Sequence, residues 1–244
     1  MKIMSFNTKK YMFTKFGRTR KLFKYIESIN ADIVGFQELN SHSLNYLITN
    51  LDDYYIVTGS KSSFIPFYGE YNSILVNKKY KIKSYNTYAL YEDINKIRKK
   101  DKNDNFPRIC VVCHFEYDKK SYLIVNTHID NSDSDNKIKQ LNILKGIINK
   151  ELKDKEYLIL LGDFNMSLDN KRFCEFIKTN KFLDPFKDEK TSSFPSKPNM
   201  KMIDHIFLDK KFKLKDKIID VESNDFGYIS DHYPIMCDAE LNTK

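Results

Sequence analysis

Short apolar runs in this chain repeatedly end on an acid, an amide or an imidazole. The clearest is LILLGDFN at 158–165, where a strand-like run delivers Asp163 and Asn165. An unpaired buried carboxylate is costly, so Asp163 belongs at a strand end with a cation or hydrogen-bond donors facing it. With the two-residue period of a strand, Tyr157, Ile159, Leu161, Asp163 and Asn165 share one face. The same period in YLIVNTHID puts Asn126, His128 and Asp130 on one side, after Tyr122 and Ile124. KIMSFN delivers Asn7 and DIVGFQE delivers Glu38, while MIDHIFL places Asp204 inside an otherwise apolar strand. YISDHYPIM sets Asp231 and His232 just before another strand. Taken singly, Asn7, Asn126 or Asp130 reads as a cap or turn residue. Asp204 does not, because a mid-strand Asp is disfavoured and no turn explains it.

Between these runs the pattern alternates. A strand at 2–8 precedes a helix over 18–31, with Leu22, Ile26 and Ile29 on one face. ADIVGFQEL is a buried strand, and a helix with Ser41 as its N-cap follows. Strands are expected at YYIVTG, NSILVN and 84–90, and a hairpin of strands 108–116 and 121–128 turns at 117–120. A helix over 136–152, the LILLG strand, a short helix at 170–179, a Pro-punctuated loop and two final strands complete the chain. KIRKKDKNDN, between Ile94 and Phe106, reads as a charged exposed loop. No repeat or linker divides the chain, so residues 1–244 are expected to form one domain. Hairpins mixed with helix-flanked strands point to two packed sheets with helices outside.

The hydrophobic fraction of 41% supplies an ordinary core, and no run of 18 apolar residues suits a transmembrane helix. MKIMSFNTKKYMF lacks the continuous apolar segment of a secretory signal, so a soluble cytoplasmic protein is expected, a processed secreted form being the alternative. The formal charge of +8 comes from 41 Lys+Arg against 33 Asp+Glu, and it favours phosphate-rich partners, nucleic acid among them. Most of it is Lys in a chain crowded with Lys, Asn, Ile and Tyr, so charge alone does not choose the partner. Cys110-Val-Val-Cys113-His114 fits a haem-attachment spacing, but in a strand positions three apart face opposite ways. Neither haem nor structural zinc is expected, and the four cysteines read as buried free thiols.

Strand ends lie near one another, so the polar residues can converge on one pocket. A hard cation such as Mg²⁺, which takes a few carboxylates plus water and phosphate, would answer the charge there. Two histidines beside it can move protons near neutral pH.

The order Asn7, Gln37-Glu38, Asn126-Thr127-His128, Gly162-Asp163-Phe164-Asn165, Ile203-Asp204-His205 and Ser230-Asp231-His232 resembles the endonuclease/exonuclease/phosphatase superfamily across residues 1–240. His128 is similar to the histidine-bearing, deoxyribonuclease I-like branch. The resemblance implies an α/β (α+β) four-layer sandwich, two mixed β-sheets flanked by helices, with the site at one end. It further implies a Mg²⁺-dependent hydrolase of phosphate esters, with Mn²⁺ as substitute. First among these is a phosphodiesterase or nuclease using in-line attack of water. The alternatives are a lipid or small-nucleotide phosphohydrolase and a non-catalytic phosphate-binding member. Glu38 with Asn7 and Asp231 would hold the metal. Asp163 and Asn165 would orient the attacking water or the phosphate. His232, paired with Asp204, would act as base or phosphate-polarising group, and His128 would contact the phosphate and protonate the leaving oxygen. By the same resemblance Tyr68, Arg108 and Asn126 would contact substrate phosphate, and Glu70 would orient His128. His205, of opposite parity to Asp204, is expected to be structural. A monomer is expected, with a phosphate-ester substrate as its partner.

Overall fold

A computed structural model describes residues 1–10, 16–60, 70–195, 201–226 and 229–242. Strands β1 (Lys2–Asn7), β2 (Ile33–Asn40), β3 (Tyr54–Ser60), β4 (Glu70–Asn77), β10 (Phe212–Ile219) and β11 (Ile235–Leu241) form one sheet in the order β10-β11-β1-β2-β4-β3. Strands β5 (Lys81–Ala89), β6 (Ile109–Tyr117), β7 (Lys120–His128), β8 (Glu156–Asp163) and β9 (Asp204–Leu208) form the second, in sequence order. Within them β1–β2 and β7–β8 run parallel and the other neighbours antiparallel. The expected mixed two-sheet sandwich is therefore present.

Side-chain alternation builds the layers. Ile3, Ile33, Ile74, Val111, Ile124, Ile159 and Ile206 point between the sheets and form the central core. Met4, Val34, Phe36 and Leu75 point outward against α1 (Phe16–Ile29) and α2 (Ser41–Asn50). Val112, Val125, Leu160 and Phe207 point the other way, against α3 (Ser134–Glu151) and α4 (Lys171–Thr179). Cys110 and Cys113 divide between the outer and central cores, as strand parity requires. No helix among the described residues is long and apolar enough to cross a membrane.

Three details differ from the sequence reading. The N-cap of α2 is Asn40, whose side chain accepts from the Ser43 amide at 2.8 Å, rather than Ser41. Asp204 opens β9 instead of lying inside it, with Asp163 as its register partner. A third late strand, β10, lies at the sheet edge, where alternate Lys side chains in FKLKDKII face solvent. The β6–β7 hairpin turns on Asp118 and Lys119, both with positive φ (48° and 59°), the geometry of a two-residue turn matched to strand twist.

Candidate active site

The topology brings the polar strand termini to one rim of the sandwich. Asn7 ends β1, His128 ends β7, Asp163 ends β8 and Asp204 begins β9. Each follows the inward parity of its strand. Asp163 is at the centre. Asn7 Nδ2 donates to its Oδ2 at 2.9 Å, and the Asn165 amide donates to its Oδ1 at 2.8 Å. The Nε2 atoms of His128 and His232 stand 3.5 Å and 3.9 Å from Oδ2. Gly162 makes this approach possible. Its φ is +148°, and a Cβ there would lie 2.0 Å from the Thr127 carbonyl oxygen, so no side chain fits between β7 and β8.

Glu38 reaches the rim through a β-bulge. Phe36 pairs with Ser73 and Leu39 with Tyr71, so Gln37 and Glu38 together oppose Asn72 alone. Glu38 adopts φ +58°, and its carboxylate accepts from the Lys10 amide at 2.9 Å and Asn7 Nδ2 at 3.4 Å. Lys9 and Asn165, each at φ +50°, add two more left-handed residues around the same site. Such strained positions cluster where surrounding structure fixes a functional geometry.

His232 donates through Nδ1 to Asp204 Oδ2 at 2.8 Å, and this oxygen also accepts from the Ser193 hydroxyl at 2.7 Å. Burial alone would lower the imidazole's pKa. The charge of Asp204 and its hydrogen bond, aided by Asp163 and Asp231, outweigh burial and push it up to about 9. Asp163 is raised to about 7, first by burial and then by the charge of Asp204. Both groups are thus raised, the acid toward neutrality and the imidazole above it.

Asp231 accepts from Lys9 Nζ at 2.6 Å, and neighbouring Ser230 donates to the Asn7 carbonyl at 2.6 Å, joining the two loops. His205 packs against Phe164, Phe173 and Phe207, with Nε2 at 2.9 Å from the Met166 carbonyl and burial lowering its pKa. It sits apart from the rim, in the outer core.

Asn126 requires correction. Fully buried, it donates to the Phe36 and Ser73 carbonyls at 2.8 Å and 2.9 Å and accepts from Gln37 at 2.7 Å. It ties the two sheets together, and both amide protons are used, leaving none for a phosphate. Arg108 is also buried, bonded to Asp130 at 3.0 Å and set against His128 at 2.8 Å. Glu70 opens β4 opposite Asn40, and Tyr68 lies outside the described residues.

A divalent cation fits this rim on donor chemistry. Glu38, Asp231 and Asn7 offer carboxylate and amide oxygens, the hard ligands such an ion takes. Asp163, Asp204 and His232 also bring three ligand atoms within 4.8 Å of one another.

Sequence reasoning missed several supporting residues. Ser193, fully buried, bonds Asp204 from a Pro-punctuated loop with no period to announce it. Phe194 packs on His232 with ring centroids 4.6 Å apart. Arg18 on α1 donates to the carbonyls of Thr8, Lys9 and Ile229, joining both site loops; only its place on a half-buried helix face hinted at this.

Carboxylates, amides and two histidines thus gather on one rim of a two-sheet sandwich. The model of the Endonuclease/Exonuclease/phosphatase family matches residues 4–232, and the chain belongs to that family, whose members are phosphoric ester hydrolases. No curated protein matches it. Among solved structures it is similar to an endonuclease/exonuclease/phosphatase from Bacteroides vulgatus, with TM-score 0.86, 24% identity and coverage of 99% of this chain and 98% of that one. It is also similar to the Bacteroides thetaiotaomicron mannosyl-6-phosphatase Bt3783 (0.82, 20%, 99% and 100%) and to D. rerio TDP2 complexed with a single-strand DNA product (0.77, 16%, 98% and 98%). At these identities the likenesses establish the fold.

Proposed function

We propose that residues 1–244 act as one Mg²⁺-dependent phosphodiesterase domain, with nucleic acid as the first substrate class. The observation that carries this reading is the meeting of Asn7, His128 and His232 around the buried Asp163 at one rim. All these residues come from one chain, so a monomer suffices. Glu38, Asn7 and Asp231 would hold the cation, which when bound supplies positive charge against the charge that builds on the phosphoryl oxygens.

The chain's own residues do the remaining work. Asp163, with a pKa near neutrality, accepts a proton from the attacking water, which Asn165 helps to orient. His232, held by Asp204 and a cation at neutral pH, donates to a non-bridging phosphoryl oxygen. His128, whose Nε2 stands 3.5 Å from Asp163 Oδ2, donates to the leaving oxygen.

The net charge of +8 supports a polyanionic substrate. A second reading, a phosphomonoesterase for small sugar phosphates, is supported by the likeness to mannosyl-6-phosphatase. The test is a panel of plasmid DNA, single-stranded RNA, sphingomyelin, inositol phosphates, a sugar 6-phosphate and bis-p-nitrophenyl phosphate, each with and without Mg²⁺. Metal-dependent turnover of one class, reduced about 10²–10⁴-fold in Asp163→Ala, is expected. Unchanged turnover in that variant, or silence across the panel, would contradict the reading.

A further inference from the structure

We propose that Asp130 is the positioning residue of this site: it aims Arg108 at His128 and anchors the Lys/Arg-rich 96–105 segment to the same strand end. The inference rests on the hydrolase reading above and deepens it.

Asp130 lies two residues beyond β7 and is fully buried. Its carboxylate is saturated from three directions. Oδ2 accepts from the Asn105 amide at 2.7 Å, and Oδ1 accepts from the Phe106 amide at 3.3 Å and Arg108 Nε at 3.0 Å. Its own amide donates to Gln140 Oε1 on α3 at 2.9 Å, which fixes the backbone beneath the carboxylate. Burial opposes its charge, but the Asn105 amide and the Arg108 guanidinium prevail and hold its pKa below the ordinary value.

A guanidinium is a rigid planar fork, so fixing Nε fixes where its other nitrogens point. With Nε on Asp130 and the Phe106 ring centroid 5.5 Å from the guanidinium carbon, Nη1 lies 2.8 Å from His128 Nδ1 and 3.0 Å from Nε2. Asp130 thus reaches the reacting region only through Arg108. The backbone bonds to Asn105 and Phe106 give it a second task. They fasten the end of KIRKKDKNDN, which carries Lys96, Arg98, Lys99, Lys100 and Lys102, next to the site. One carboxylate therefore registers the basic loop and the catalytic strand together.

The experiment compares Asp130→Asn, Arg108→Ala and the double variant on whichever panel substrate the wild type cleaves. Each single change should lower kcat/KM about 10–100-fold, the range for residues that orient reacting groups. The double variant should be no more than about twofold worse than Arg108→Ala, because coupled residues are not additive. Millimolar guanidinium ion should partly restore Arg108→Ala while Asp130 is present, and fail in the double variant. Multiplying losses, or equal rescue of both, would overturn the proposal. A second arm needs no substrate. In ¹⁵N-labelled protein the Arg108 Nε–H resonance should exchange slowly with solvent, and this protection should vanish in Asp130→Asn while the backbone amide spectrum stays folded. Retained protection would also overturn the proposal. Silence of the wild type on every phosphate ester would instead defeat the hydrolase reading, and the spectroscopic arm would still decide the role of Asp130.

Discussion

Strand β8 begins at Glu156 and ends at Asp163, and buried histidines meet carboxylates at both ends. At the first end, His114 Nδ1 lies 2.9 Å from Glu156 and Nε2 lies 3.0 Å from Glu151, which also accepts from Tyr88. Both ring nitrogens are engaged, and the group is closed. At the other end His232 Nδ1 meets Asp204 and the His128 ring meets Arg108, while His232 Nε2 stands 3.9 Å from Asp163. His128 Nε2 stands 3.5 Å from the same oxygen. Those spacings are longer than good hydrogen bonds. The backbone follows the same division. Left-handed residues near the first end, Asp118, Lys119 and Lys155, sit in turns, whereas Glu38 and Asn165 lie at the rim itself. The same residue types thus make a closed clasp at one end and a looser cluster at the other, where the proposed chemistry would take place.

Removing the clasp should have the largest effect on stability. His114→Ala leaves two carboxylates facing each other without the ring between them, and should cost about 3–5 kcal/mol by urea unfolding. Gly162→Ala comes next, at about 3 kcal/mol, because the new methyl meets the Thr127 backbone, and hydrolysis should fall with it.

The pH dependence separates the two histidines further. In metal-free protein His232 is raised from 6.5 to about 9, so its stabilisation is complete below about 6.5 and is lost as pH rises through 9. Asp163, raised from 3.8 to about 7, adds a loss of the same sign between those values. The urea midpoint should therefore fall between pH 7 and 9. That fall should flatten in His232→Gln and persist in His114→Gln; the reverse would break the comparison. The smallest effect is a gain. Gly146 is exposed within α3 with open space around it, and Gly146→Ala should add up to about 1 kcal/mol without altering turnover.

Much of this was legible in the sequence because strand parity is simple. Inward apolar residues in β1, β7 and β8 lead by steps of two to Asn7, His128 and Asp163, and parity likewise separated His205 from Asp204. Parity failed where the backbone breaks its own period. The bulge at Gln37-Glu38 turns a residue that alternation assigns to the helix-facing side toward the rim. Asn126 has the right parity but stops one pair short of the strand end, so it meets the other sheet. The edge strand β10 was hidden because Lys on its solvent face leaves only a weak apolar alternation. Ser193 and Arg18 act from segments whose approach to the site depends on tertiary packing, which no local pattern encodes.

The most direct measurement is steady-state hydrolysis by His232→Gln and His114→Gln, side by side with wild type under one Mg²⁺ concentration, on the most rapidly cleaved ester. The expected result is a loss of about 10²-fold or more for His232→Gln and less than about twofold for folded His114→Gln. Equal losses in the two variants, or none in His232→Gln, would contradict the assignment of catalysis to the Asp163 rim.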